Sequence, residues 1–286
     1  MKLKSKLMAA AIALVAASGA HAATSTMASG NSSLAFIAMD YTGSPISTVM
    51  DLGFNVDSFL KSAVASDAGY KVVWNFNNNT MTVNNVAVTG DYAWNNALTT
   101  FYGTAQNAEV KWGVIGGDSV TDGTPGQLRY FSTSSSSLAT VQSQTKANLA
   151  GFSLSDNVFS QNNLLPSHTT NAEGGSTATS GLAYVGNGGT FGIAGKWQNK
   201  APFVAVANEG VDMAFYMLDS NNGTSSTRAL VTEYKNSLDT ASFSYANGVL
   251  TYEIAAAIPE PSEYALMLAG LGMLGFMARR RLANRA

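Results

Sequence analysis

The stretch ASFSYANGVLTYEI, residues 241–254, constrains the fold of this chain more than any other segment. Phe243 and Tyr245 alternate with serines, Asn247-Gly248 follows, and Tyr252 lies in a second β-type run. A period of two places alternate side chains on one face of a strand. Asn-Gly between two such runs favours a type I′ turn, because both of its central residues need positive φ. The segment therefore predicts an antiparallel β-hairpin.

Similar short runs, rich in Val, Phe, Tyr, Trp and Thr, recur between polar turns. They lie at residues 34–41, 70–76, 80–88, 108–116, 201–207, 211–218 and 229–234. A second turn is predicted at Asn77–Asn79. Short strands separated by frequent turns are typical of an antiparallel β-sandwich or a jelly-roll-like domain. We therefore expect a mainly β fold of one of these two kinds.

Two segments predict helices within this β pattern. One is a short helix near Val56–Ala65, with Asp57 or Ser58 near its start. The other lies in residues 134–152, where Leu138, Val141 and Leu149 have helical spacing, between serines and a glycine. Residues 160–181 are rich in Asn, Ser, Thr and Gly and predict a long surface loop.

Composition limits the possible partners and chemistry. Only 12% of the residues are charged, about half the usual share of roughly 25%. Seven of the sixteen basic residues lie near the two ends, which leaves nine against sixteen acidic residues between Ala23 and Ile258. An acidic region without a basic stripe argues against a nucleic-acid partner. The chain has no cysteine, so disulfides, thiolate nucleophiles and cysteine-bound metals are excluded.

Gly117-Asp118-Ser119 resembles the nucleophile block of GDSL-type esterases. That family needs a histidine three residues after an aspartate. The single histidine of the middle region, His168, has Leu165 at that place. A serine nucleophile needs a base within hydrogen-bond reach. We therefore predict a strand that runs into an Asp/Gly turn, and a surface position for His168.

Three other patterns leave alternatives open. Carboxylate pairs such as Asp212 with Asp219, or Glu233 with Asp239, are compatible with a glycosidase. Residues 219–226 have a faint likeness to a calcium loop, but their glycine is misplaced for an EF-hand and a tight turn fits better. The four tryptophans suit core packing better than a sugar-stacking face; they are Trp74, Trp94, Trp112 and Trp197.

The N-terminal end has the parts of a secretory signal peptide. Three lysines precede an apolar run from Leu7 to Ala17, and Ala20-His21-Ala22 then provides an A-x-A site. The apolar run is too short for an ordinary membrane span. We expect the Sec machinery to export the chain and signal peptidase to cut between Ala22 and Ala23. The alternative is an amphipathic helix that stays in the mature protein.

The C-terminal end has three parts in order. Pro259-Glu260-Pro261 is followed by fifteen uncharged residues, 264–278, and then by Arg279–Arg281. As a helix the uncharged stretch measures about 22 Å, shorter than the ~30 Å hydrocarbon core of a bilayer. Such a helix spans only if the bilayer thins and the arginines reach the interface. It suits transient insertion into the inner membrane, with the arginines on the cytoplasmic side.

This order resembles the C-terminal sorting signal of PEP-CTERM proteins. The resemblance makes Pro259, Glu260 and Pro261 the sorting motif and Arg279, Arg280 and Arg281 the basic stop. It assigns the membrane helix to 264–278, with Tyr264, Leu268, Gly270, Gly272, Gly275 and Ala278. It implies as partner an exosortase, an integral-membrane cysteine transpeptidase, and a Gram-negative host with an extracellular polysaccharide matrix. A plain C-terminal anchor is the alternative.

The chain is thus expected to comprise a signal peptide (1–22), an extracellular β-rich domain (23–257) and a sorting signal (258–286). No cofactor and no metal site is expected. We expect a surface or matrix protein with a structural or adhesive role beside exopolysaccharide. An extracellular hydrolase of glycans or esters is the alternative. Ice binding is a third possibility, since this C-terminal domain type is also named after ice-binding proteins, but the threonine runs at 80–82 and 177–179 are isolated.

Overall fold

The computed structural model describes residues 24–42, 44–60, 69–105, 110–118, 128–168, 173–220, 227–234, 241–254 and 261–283. The chain divides into two compact units, Met1–Ala255 and Ala256–Ala286. We call the first the body and the second the C-terminal unit, and describe each by itself.

The described part of the body is mainly β, as predicted. Its strands are β1 Ser33–Asp40, β2 Ile46–Asn55, β3 Lys71–Asn75, β4 Thr80–Val83, β5 Val86–Val88, β6 Tyr92–Ala93, β7 Lys111–Asp118, β8 Arg129–Ser134, β9 Glu173–Ala178, β10 Ala207–Asn208, β11 Met213–Asp219, β12 Leu230–Glu233, β13 Ala241–Ala246 and β14 Val249–Ile254. Its helices are α1 Val56–Leu60, α2 Asn95–Thr104, α3 Leu138–Val141, α4 Lys146–Ala150 and α5 Asn157–Asn162. The C-terminal unit contains α6, Pro261–Ala283.

The strands form one sheet, where a sandwich would have two. Its order is β5-β4-β3-β14-β13-β11-β8-β7-β1-β2-β9-β6, with β10 also paired to β7 and β12 to β11. The described pairings are antiparallel apart from the parallel contact between β6 and β9. Turn spacing predicts antiparallel strands in either arrangement, and therefore does not distinguish one sheet from two.

The sheet curls so that strands far apart in its order face each other across an interior. The ring of Phe36 on β1 lies 4.7 Å from that of Tyr245 on β13 and 5.0 Å from that of Phe76, just after β3. The indole N–H of Trp74 on β3 donates to the carbonyl of Leu52 on β2 over 2.8 Å. We call this ring-rich interior the aromatic core. Burial of these large side chains stabilises the body.

The other face of the central strands is covered as well. Alternate residues of β1 enter different cores: Phe36 lies in the aromatic core, and Ile37 lies in a second core. The second core is closed by α3, α4, α5 and the loops of residues 183–206. Trp197 in these loops donates its indole N–H to the Ser132 hydroxyl on β8 over 3.1 Å. Strands β1 and β2 are therefore buried on both faces.

The predicted turns are confirmed. Asn247 and Gly248 have φ of 52° and 75° and join β13 to β14, as a type I′ turn requires. Asn79 in the second turn has φ of 52°. Asn84 and Asn85 also have positive φ, at 51° and 65°, and they split the single strand predicted at residues 80–88 into β4 and β5.

Three strands and one helix lack the patterns that sequence analysis needs. β2 is buried on both faces, so it does not alternate between apolar and polar residues. β9, EGGSTA, is built from small residues and lies in the segment that was predicted to be a surface loop. The loop prediction is therefore wrong for the residues of β9. A Cβ on Gly175 would lie 2.8 Å from the Cβ of Ala97 on α2. The close packing of α2 on β9 thus requires glycine. β8 and α2 were also not predicted.

The strand predicted at residues 201–207 is wrong except at its last residue. The segment is apolar because it fills the second core, where Phe203 and Ala205 are fully buried. Hydroxyl groups from β8 and the residue after it bind its carbonyls: Thr133 donates to Ala205, Ser134 to Val204 and Ser135 to Val206. These side-chain hydrogen bonds replace a backbone ladder.

The helix predictions are confirmed in outline. α1 begins at Val56, as predicted, and the rest of that predicted helix, residues 61–65, lies outside the described residues. Residues 134–152 form two short helices, α3 and α4, with a break between them. A capping box starts α4, in which the Thr145 hydroxyl accepts from the Asn148 N–H while the Asn148 side chain accepts from the Thr145 N–H.

Candidate functional site

A buried carboxyl group lies in the middle of β2. Asp51 is 4% exposed and lies on the opposite face of β2 from the aromatic core. The Ser33 hydroxyl donates to Oδ2 over 2.5 Å, and the Gly53 N–H donates to Oδ1 over 2.8 Å. Both carboxyl oxygens therefore have a hydrogen-bond partner.

Burial raises the pKa of Asp51 from its ordinary value of 3.8 to about 7. The hydrogen bonds from Ser33 and Gly53 oppose this rise, and the negative charge of Glu173 adds a little to it. Near neutral pH the carboxyl group is therefore divided between its acid and carboxylate forms. A carboxyl group with such a pKa is suited to proton transfer, and the same perturbation also arises in purely structural networks.

Glu173 and Tyr92 lie beside this carboxyl group at the edge of the sheet. They are register partners in the parallel contact between β6 and β9. A Cβ on Gly53, whose φ is 73°, would lie 3.5 Å from the Tyr92 ring and 3.7 Å from Glu173 Cγ. Both side chains are half-buried. The edge thus brings together two carboxyl groups and one phenol.

A second charged cluster explains the Gly-Asp-Ser stretch at the end of β7. Arg129 Nη2 lies 2.9 Å from Asp118 Oδ2 and 3.2 Å from Asp57 Oδ1. Asp118 thus forms an ion pair that ties β7 to β8, and the strand predicted here is confirmed. Ser119, the serine of the esterase-like block, lies outside the described residues.

A third polar cluster joins α2 to the β13–β14 hairpin. The Tyr102 hydroxyl donates to Glu209 Oε2 over 3.1 Å and lies 3.0 Å from the Tyr245 hydroxyl. The other oxygen of Glu209 accepts from the Asn247 N–H. Burial raises the pKa of both phenols above the range in which they ionise in ordinary buffers. The phenols therefore act as neutral hydrogen-bonding groups.

The structure places the other predicted candidates as follows. His168 is 8% exposed, so its predicted surface position is wrong: its side chain is buried, although Pro166 and Ser167 before it are exposed. Burial also lowers the pKa of His168.

Asp212 precedes β11 and Asp219 ends it, so this pair is separated by the length of the strand. Asp239, and residues 221–226 of the calcium-like loop, lie outside the described residues. Within the described residues, no group of three or more acidic or histidine side chains could hold a metal ion.

The tryptophans are core residues, as predicted. All four are fully buried. Trp74 and Trp94 also donate their indole N–H groups to the carbonyls of Leu52 and Asp51, over 2.8 and 2.6 Å. A sugar-stacking face made of these tryptophans is therefore excluded.

The C-terminal unit presents a different kind of surface. α6 begins at Pro261, where the fixed φ of proline suits the first helical position. It ends at Ala283, beyond the predicted limits of 264–278 at both ends. The large apolar side chains between residues 266 and 277 are 55–72% exposed on all sides of the helix: Leu266, Met267, Leu268, Leu271, Met273, Leu274, Phe276 and Met277. A helix that is apolar on all sides is normally covered by other groups.

Three glycines interrupt this apolar surface. Cβ atoms added to Gly270, Gly272 and Gly275 would meet no atom within 4 Å. Tyr264, Ala278 and the three arginines lie on the same continuous helix. Among the described residues, no helix combines the length and the apolar character needed to cross a membrane.

Comparison with known families identifies this end of the chain. Residues 257–281 match the family described as PEP-CTERM protein-sorting motif. The chain carries a PEP-CTERM sorting motif. This motif implies export of the protein, a membrane-associated sorting step and an exosortase as processing partner. No curated protein and no solved structure matches the chain.

The PEP-CTERM motif confirms the resemblance found in the sequence, and it accounts only for the C-terminal end. Pro259 and Glu260 of the motif lie outside the described residues, as do Ala20, Ala22 and Ala23 of the predicted leader site. Sequence analysis missed Asp51. It lies inside a strand with no motif around it, and its perturbation comes from burial, which a single sequence does not show.

Proposed function

We propose that this PEP-CTERM protein is an exported, exosortase-processed component of the cell surface or extracellular matrix of a Gram-negative bacterium. Its body has a non-enzymatic, structural or adhesive role beside extracellular polysaccharide. The observation that carries the proposal is the sorting motif at residues 257–281 on a helix with exposed apolar side chains. In this proposal the helix enters the inner membrane transiently, and its arginines stay on the cytoplasmic side.

The surface of the body supports a role beside polysaccharide. Exposed asparagines cluster on two neighbouring turns, which we call the amide rim: Asn77, Asn78 and Asn247. The Asn77 side chain donates to the Asn247 carbonyl over 2.9 Å, which holds the two turns together. Side-chain amides donate and accept hydrogen bonds, as the hydroxyls of sugars do. The rim therefore offers matching groups to a neutral glycan without requiring charge.

The processing part of the proposal is tested by mass spectrometry of the protein released from its host. We expect an N-terminus at Ala23 and a C-terminus close to Pro259-Glu260-Pro261. Recovery of the intact C-terminus Ala286 in the mature pool would contradict exosortase processing and favour a plain anchor.

The role of the body is tested by sedimentation with purified matrix polysaccharide. We expect the mature protein to bind it, and the Asn78→Ala/Asn247→Gly double variant to bind more weakly, because it loses two exposed amides of the rim. Glycine at residue 247 keeps the positive φ of 52°. Gln142→Ala, which removes an exposed amide outside the rim, is the matched control. Equal binding by all three proteins would remove the amide rim from the proposal.

An extracellular hydrolase of glycans or esters is the second candidate, and the carboxyl groups of Asp51 and Glu173 favour it. A raised pKa suits a general acid, and a second carboxylate is its usual partner in glycosidases. Appearance of new reducing ends in the polysaccharide, abolished by Asp51→Asn, would establish the hydrolase. No hydrolysis by the wild-type protein would leave Asp51 with a structural role.

A further inference from the structure

Five strands of the body leave one side of the sheet open to solvent. Along β13, β14, β3 and β4, buried residues alternate with residues that are half-buried or exposed. The buried set, which includes Tyr245, Tyr252 and Trp74, lies in the aromatic core. Because successive side chains of a strand point to opposite faces, the alternate residues point away from that core. We call the outward side of β13, β14, β3, β4 and β5 the open face.

Strand register aligns five residues of the open face into a row that crosses all five strands. The pairings are Ser244 with Thr251, Thr251 with Val73, Val73 with Thr82, and Thr82 with Ala87. We call these five residues the middle row. Ala87 is exposed and the other four are half-buried. Since neighbouring strands lie about 4.8 Å apart, the row presents small hydroxyl and methyl groups at regular intervals.

The three hydroxyl groups of the middle row are not used within the body. None of them has a hydrogen-bond partner among the residues that the structure describes. The covered strand β8 is different, because its hydroxyls donate to backbone carbonyls over 2.8, 2.7 and 3.1 Å; they belong to Ser132, Thr133 and Ser134. The hydroxyls of β8 thus hold the body together, whereas those of the middle row are available to a ligand as donors and acceptors.

The open face has no net charge and no large anchoring side chain. Its charged residues within the described strands are Lys71 and Glu253, which form an ion pair of 2.9 Å next to the middle row. A face without net positive charge does not suit nucleic acid or an anionic membrane. The middle row also lacks the aromatic, methionine and arginine side chains on which stable protein interfaces depend. A neutral partner rich in hydroxyl groups fits this face better.

We propose that the open face binds a neutral, extended polysaccharide chain that lies along the middle row, across the strands. The inference rests on the proposed role beside extracellular polysaccharide, and it names the class of glycan and the surface that holds it. Successive sugars of an extended β-linked glycan are spaced at nearly the interval between strands, so one sugar meets each strand. The sugar hydroxyls bind those of the middle row, and the C–H faces of the rings pack on Val73 and Ala87. The amide rim, at the turns of the same hairpins, extends this surface.

The test is affinity gel electrophoresis of the full-length chain in a neutral polyoxyethylene detergent. One gel contains hydroxyethyl cellulose, which is neutral and extended, and another contains dextran, which is neutral and flexible. We expect hydroxyethyl cellulose to retard the chain and dextran to retard it much less. The triple variant Thr82→Val/Ser244→Ala/Thr251→Val removes the three hydroxyls and should bind on the order of a hundredfold more weakly, at about fivefold for each lost hydrogen bond. Valine keeps the β-branched shape of threonine.

Thr232→Val is the matched control and should bind like the wild type. Thr232 is an exposed threonine of β12, and its register partner Met217 packs on the aromatic core, so Thr232 lies outside the open face. Ala87→Lys places a long side chain on the row and should also weaken binding, which covers the case in which the triple variant does not fold.

Three results would overturn the inference: no retardation of the wild type by hydroxyethyl cellulose, equal retardation by dextran, or equal binding by the wild type and both open-face variants. A dimer in sedimentation velocity that these variants dissociate would assign the face to a second copy and would also overturn it. In each case, sedimentation of the wild type with matrix polysaccharide would leave the proposed function standing. Loss of that binding as well would overturn the adhesive role of the body.

Discussion

Replacement of Asp51 by asparagine should stabilise the protein above neutral pH and leave it little changed in acid. The unfolded chain releases the Asp51 proton near pH 3.8, whereas burial in the folded protein raises the pKa to about 7. Between these two values the folded state holds one proton more than the unfolded state. The free energy of unfolding therefore falls as pH rises through this window.

The magnitude follows from the difference between the two pKa values. A difference of about three units at roughly 1.4 kcal/mol each gives about 4 kcal/mol, lost progressively between pH 3.8 and 7. Asp156, whose pKa burial also raises, contributes in the same direction. Asparagine is neutral at every pH and keeps an oxygen for the Gly53 N–H. Asp51→Asn should thus regain most of this free energy at pH 8.

Urea unfolding of the mature protein, followed by tryptophan fluorescence at pH 5 and pH 8, measures this effect. We expect the wild-type midpoint to fall between these pH values, and the Asp51→Asn midpoint to fall much less. Asp91→Asn, at an exposed carboxyl group, is the matched control and should behave like the wild type. The reasoning is refuted if the wild-type midpoint does not fall with rising pH, or if Asp51→Asn falls in parallel with it.

Three further substitutions test the packing of the body by thermal unfolding. Tyr252→Phe should raise stability by about 1 kcal/mol, because the buried Tyr252 hydroxyl has no hydrogen-bond partner among the residues that the structure describes. A loss of stability would show that the hydroxyl is bound. Gly248→Ala should destabilise the protein more than Gly181→Ala does. Both glycines have positive φ, but only at Gly248 would the new Cβ meet a side-chain amide, at 2.6 Å. Equal losses of stability would contradict this contact. Asn79→Ala should lower the free energy of unfolding by about 2 kcal/mol, because Asn79 Oδ1 accepts hydrogen bonds from the two backbone N–H groups that begin α2. An unchanged stability would contradict this capping role.

The sequence predicts the parts of the fold that depend on local signals. The hairpin at Asn247-Gly248 was predictable because its turn type demands positive φ at both residues. The strands with alternating residues, such as β13, were predictable for a similar reason. β2 and β9 were not predictable, because the residue types in these strands depend on the elements that pack against them. β9 has small residues where α2 approaches, and β2 has no polar face to reveal its period.

The candidate sites divide in the same way. The sorting motif is read from adjacent residues, so its identification needs no structure. Asp51 acquires its raised pKa from burial, and its neighbours Ser33 on β1 and Glu173 on β9 belong to other strands. His168 shows the converse error: its polar neighbours predict exposure, whereas its side chain is buried. A single sequence records neither kind of long-range proximity.

The placement of β14 has a mechanical consequence. This strand carries the C-terminal end of the body, and it lies inside the sheet, with five register pairs to β3 and six to β13. A load applied along the strand at Ile254 therefore acts on two hydrogen-bonded ladders at once, and it must shear both. An edge strand pulled from one side would instead peel away pair by pair. A body held through this end is built to bear tension.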